Sequence, residues 1–215
     1  RERIQISLRQ GETKREELAV KNNGSRVVRL SLSALGIEDF LRMNEESFQL
    51  KAGESKIIIL DFTASEDILP DLYNGKIVIE GVGVKKEIPL IIEVESAESL
   101  FDVQITIPKE FLSILPGEKI VANIRLFEVE EIGEVDVEVK YEITDEAGEV
   151  IVSQKETIAV EGQNNFIKTF QIPEYVRDGN YLFYVKIDYA GKSASASQLF
   201  RVGKEAVQGI QIRQF

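Results

Sequence analysis

The sequence contains no histidine, no cysteine and no tryptophan, and one methionine among 215 residues. Each absence removes some chemistry. Without cysteine there is no disulfide and no thiolate nucleophile. Without histidine there is no imidazole base, so a Ser-His-Asp triad is excluded. Ordinary zinc and haem sites lose their usual ligands as well. Long apolar runs are also missing. The longest aliphatic run is Ile57-Ile58-Ile59-Leu60, far short of the ~18 apolar residues that span a bilayer. No membrane span is expected. Cations are in deficit: 26 Lys+Arg against 37 Asp+Glu give a net charge of −11. That balance speaks against nucleic acid, whose phosphates call for a basic face.

The missing cysteines carry no stability penalty, because a chain of this length buries ample core without staples. They also leave the redox compartment open. The sequence begins at Arg1 rather than Met and shows no signal peptide. It is therefore read as a processed or excised piece.

What the chain has in quantity is period-2 alternation. From Glu134 to Glu142 every odd-numbered residue is apolar and every even one is charged. A strand points successive side chains to opposite faces, so this segment has one dry and one wet face. Tyr181, Phe183, Val185, Ile187 and Tyr189 repeat the pattern, as do Ile88, Leu90, Ile92 and Val94. Helical spacing is confined to Ile37–Met43 and Lys109–Leu115, each long enough for a turn. The chain is read as all-β.

Turn signals such as Asn22-Asn23-Gly24, Asn74-Gly75, Pro116-Gly117 and Asp178-Gly179 recur at sandwich-like intervals. The strands counted between them number about seven per ~100 residues, the proportion of an immunoglobulin-like sandwich. The polar stretch Glu95–Ser99 interrupts the alternation and marks a boundary. The expectation is two tandem immunoglobulin-like β-sandwiches of about seven antiparallel strands each, over residues 1–97 and 98–203. Tyr73 and Tyr181, each at the start of a late strand, have the look of tyrosine corners. A tail follows at 204–215. Its Gly209-Ile210-Gln211-Ile212-Arg213 echoes the openings of both halves. It is read either as the first strand of a further repeat or as a segment that adds to a neighbour's sheet.

Residues 1 to about 97 resemble immunoglobulin-like domains of archaeal and bacterial surface proteins, with CARDB-type and PapD-like (ASPM/SPD-2/hydin-type) domains among the relatives. The resemblance is carried by Leu18–Gly24, by Leu50-Lys51-Ala52-Gly53-Glu54-Ser55 leading into Ile57–Phe62, and by Tyr73-Asn74-Gly75 leading into Lys76–Ile79. Ala52 stands where that family usually has proline. The second half fits more loosely. The resemblance implies a spacer, adhesion or assembly module, usually extracellular. Fold alone does not set function.

Several residues are candidates for a site. Glu128, Glu130, Glu131 and Glu134 form an acidic turn, read either as a Ca²⁺ site or as a solvated strand end. The Asp/Asn/Gly offsets of Ca²⁺ loops are absent. Asn23 heads the one N-x-[ST] sequon, Asn23-Gly24-Ser25. It is read as a glycosylation acceptor or as plain turn chemistry. Phe40, Leu41 and Met43 are read as an interface patch or as a loop folded over the core. Ile210, Ile212 and Phe215 are interface candidates through strand addition.

No catalytic residue and no cofactor is expected. The expected function is that of a non-catalytic extracellular structural or adhesive module of a prokaryotic surface protein or filament. It would act as spacer and assembly unit through edge strands and end loops. Its partner would be protein, either another copy or a neighbour. A carbohydrate-binding accessory module, with a glycan partner, and an intracellular PapD-like scaffold are the alternatives.

Overall fold

The computed structural model describes residues 3–130 and 132–203. These residues form sixteen β-strands and one short 3₁₀ turn at Lys109–Phe111. The chain divides into two compact units. The first runs through Phe101 and also takes in Asp188–Ser195. The second runs from Asp102 to Ile187 and resumes at Ala196.

In the first unit the strands are β1 (Ile4–Arg9), β2 (Thr13–Lys21), β3 (Val28–Leu35), β4 (Leu41–Met43), β5 (Ser47–Leu50), β6 (Ser55–Thr63), β7 (Leu72–Gly81) and β8 (Val84–Glu95). They build a five-stranded sheet, β1-β8-β7-β3-β5, and a three-stranded sheet, β2-β6-β4. Alternation explains the packing. Ile58, Leu60 and Phe62 of β6 are fully buried, as are Ile77 of β7 and Ile92 of β8. Each such side chain contributes about 1.5–3 kcal/mol relative to exposure. The unit also buries Glu93, whose carboxylate accepts a 2.7 Å hydrogen bond from Ser195 Oγ.

The remaining strands are β9 (Phe101–Thr106), β10 (Ser113–Ile114), β11 (Lys119–Glu128), β12 (Val135–Thr144), β13 (Val150–Val160), β14 (Gln163–Gln171), β15 (Gly179–Tyr189) and β16 (Lys192–Val202), which lie in the second unit except for Phe101 and the Asp188–Ser195 ends of β15 and β16. The sheets are β10-β16-β15-β12-β13 and β14-β11-β9. Val137, Val139 and Tyr141 of β12 are buried, while Asp136 and Glu138 face outward. The acidic alternation is therefore a wet strand face.

Two features depart from the sequence reading. First, β1 with β8 and β10 with β16 pair in parallel. The first aligns Ile4 with Leu90. Alternation reveals which face a residue takes but not which neighbour a strand has, and a distant parallel partner leaves no hairpin signal. The second is β4: after the turn expected within Ile37–Met43, closed by the Phe40 N–H donating to Ile37 O at 3.1 Å, a short strand forms and pairs with β6.

Both tyrosine corners are present. The Tyr73 hydroxyl donates to Leu69 O at 2.7 Å, and the Tyr181 hydroxyl to Arg177 O at 2.9 Å. Each reaches four residues upstream and pins the loop that feeds its strand.

Candidate functional site

Strand edges are the first surface to consider. β13 pairs with β12 and β14 with β11, and among the described residues neither has a partner strand on its other side. Both edges are guarded by charge. Lys168 on β14 donates to Glu156 on β13 at 2.7 Å, and the Tyr141 hydroxyl donates to the same carboxylate at 2.6 Å. Burial pushes the Glu156 carboxyl up, but the bonds from Lys168 and Tyr141 and the Lys168 charge outweigh it and hold it below its ordinary value. Burial, then the Glu156 contact, pushes the Tyr141 hydroxyl up. On the β1 edge, Lys14 Nζ donates to Ser7 O. Charges placed mid-edge discourage a further strand.

The end loops of the first unit differ from these edges. The β2–β3 turn and the β7–β8 hairpin enclose a groove of about 770 Å³. Its cations are Lys21, Arg26 and Arg29, and no acidic residue lines it. All three are exposed, and none makes an ion pair among the described residues. Its apolar part is exposed too: Val82 at 97%, Val27 at 62% and Val84 at 44%. Clustered exposed apolar groups mark interaction sites more often than scattered ones do.

The groove has fixed walls. Asn22 is buried, and its amide donates to the carbonyls of Arg26, Leu50 and Lys51 at 2.8, 3.1 and 3.0 Å. Its side-chain oxygen accepts from the Gly24 N–H at 2.9 Å. The β2–β3 turn is thereby tied to the β5–β6 turn. Next to the lining residue Val82, Gly81 has no room for a side chain, since a Cβ there would lie 2.6 Å from Arg29 O.

The other sequence candidates fall as follows. Asn23 is exposed at the rim of this groove. Phe40 and Leu41 are buried and Met43 packs against the core. Phe40 lies against Tyr73 at 4.6 Å between ring centroids. This segment folds over the end of the sandwich, which leaves Phe40 and Leu41 no free surface for a partner. Glu128 is half-buried and accepts from the Gly162 N–H at 3.0 Å, while Glu130 and Glu134 are exposed. Glu131 lies outside the described residues. Among the described residues no three His, Cys, Asp or Glu side chains group as metal ligands do. Ile210, Ile212 and Phe215 also lie outside the described residues.

The groove was not singled out in the sequence. Its cations sit at positions 21, 26 and 29, and its most exposed valine is some fifty residues further on. Only the short run Arg26-Val27-Val28-Arg29 signals it.

No family model matches the sequence, and no curated protein matches it. Solved structures do. A protein of unknown function from Porphyromonas gingivalis matches at a TM-score of 0.53 and 14% identity, over 93% of this chain and 94% of that one. PapD-like domain 7 of human CEP192 matches at 0.35 and 15% identity, over 45% of this chain and 84% of its own. The CARDB domain of a Pyrococcus furiosus protein, in complex with di-metal ions, matches at 0.33 and 11%, over 48% and 87%. At such identities the likeness is one of fold. The fold is an all-β sandwich. Among the described residues no helix is long and apolar enough to cross a membrane.

Proposed function

We propose that this chain is a non-catalytic structural module of a prokaryotic cell-surface protein or surface filament, acting as spacer and assembly unit. The observation that carries the reading is the groove on the first unit. It combines three exposed cations that make no ion pair among the described residues with three exposed valines, beside a β2–β3 turn pinned by Asn22. Such a surface suits a protein partner with an apolar, acidic segment. A pinned β2–β3 turn means that this side of the groove loses little ordering entropy on binding. The β1, β13 and β14 edges contribute by being guarded, which favours association through the end loops.

Immunogold labelling of intact cells tests the placement. Label on the outer surface is expected. Label that appears only after permeabilisation overturns it and favours an intracellular PapD-like scaffold. The glycan-binding alternative is tested by a glycan array, on which no reproducible binding is expected. At Asn23 a glycan would stand at the groove's rim, and the mass of natively purified material shows whether one is attached.

A further inference from the structure

A surface that matches this groove is carried by the chain itself. Tyr175 is 77% exposed. It is the one exposed aromatic side chain among the described residues. It lies in the loop from Pro173 to Asp178, between β14 and β15, with Glu174 beside it and Asp178 at the loop's end. Both residues are exposed, and neither makes an ion pair among the described residues; the Asp178 carboxylate rests beside Gly203, and the exposed Arg177 leaves the loop with one net negative charge. The negative field at this end of the second unit reaches inward. Burial and then the charges of Asp145, Glu146 and Asp178 push the Tyr181 hydroxyl up, against the opposing effect of Arg177.

We infer that the Pro173–Asp178 loop of one copy docks in the groove of a second copy. Tyr175 meets Val27, Val82 and Val84, and Glu174 and Asp178 face Lys21, Arg26 and Arg29. The inference rests on the assembly reading above and names its partner. Pockets of roughly 300–1,000 Å³ hold compact organic groups, and the groove falls in that range at about 770 Å³. A tyrosine seated in a pocket and ringed by polar contacts is a common interface anchor. The contact is small, so it is weak and dissociates readily. Salt weakens it further, because charges on exposed groups are screened over ~10 Å at 0.1 M ionic strength. The two surfaces differ, so the contact is heterologous. Each copy offers one of each, and addition continues unless a ring closes.

Sedimentation equilibrium of the full chain tests this with two charge variants. One carries Arg26→Glu with Arg29→Glu, the other Glu174→Lys with Asp178→Lys. All four positions are exposed, and thermal melts check that the folds are intact. The wild type is expected to associate at about 50 mM salt and to dissociate near 500 mM. Each variant alone is expected to associate at least about tenfold more weakly, as is Tyr175→Ala. An equimolar mixture of the two charge variants regains association, because every groove then meets a loop of opposite sign. A wild type that stays monomeric to about 1 mM at low salt overturns the contact. So does a wild type whose association ignores all three variants, and in that case the assembly reading stands while this contact falls.

Discussion

At the residue scale, single polar groups settle much of the local structure. The tyrosine corners are one case. Tyr73→Phe and Tyr181→Phe each remove one hydroxyl bond to a loop carbonyl and are expected to cost about 1 kcal/mol. Urea denaturation measures it, and an unchanged midpoint for both would remove the corners from the account. Glu156 gives a pH-dependent case. Its folded carboxyl is held below its ordinary value, so its contribution is complete above the unfolded pKa of about 4.3 and fades as pH falls through the lower folded value. Glu156→Gln is expected to lose about 1 kcal/mol at neutral pH, with the gap to wild type closing in acid. A gap that persists at about pH 2 contradicts this. The sequence displayed the corners, since a tyrosine before a late strand is a local signal. It did not separate Asn22 from Asn23. The two are adjacent and chemically identical, yet one is buried with its amide fully used and the other is exposed at a groove. That difference comes from the carbonyls of Leu50 and Lys51, which only the folded chain brings there.

At the element scale, alternation was legible and pairing was not. The burial of β12 follows its odd and even positions closely. The segments read as strands recur as strands, with β4 and the two-residue β10 added. The partners of β1 and β10 were hidden because a parallel pairing is set by packing far along the chain. The edges follow from the same geometry. β13 presents eleven residues with a free side among the described residues, interrupted by Lys155 and Glu156. Replacing both with valine leaves a long apolar, β-branched edge, the kind that recruits other chains. The double variant is expected to aggregate on mild heating where the wild type stays clear, as followed by light scattering. Equal clarity would show that these charges do not guard the edge.

At the scale of the whole molecule, the uneven charge acquires a direction. Residues 1–97 carry 14 basic and 17 acidic groups, whereas residues 98–215 carry 12 and 20. Both halves are net acidic, so their net charges repel, and attraction across copies has to come from local patches of opposite sign. The sequence showed this asymmetry as a sum. It did not show that three of the first half's cations stand together around exposed valines, or that Tyr175 is the one exposed aromatic among the described residues. The most direct measurement is the weight-average mass of the full chain against concentration at low salt. The expected mass climbs above the monomer as concentration rises and falls back to it in high salt, levelling off only where a ring of loop-in-groove contacts closes. A mass fixed at the monomer up to about 1 mM at low salt would contradict it.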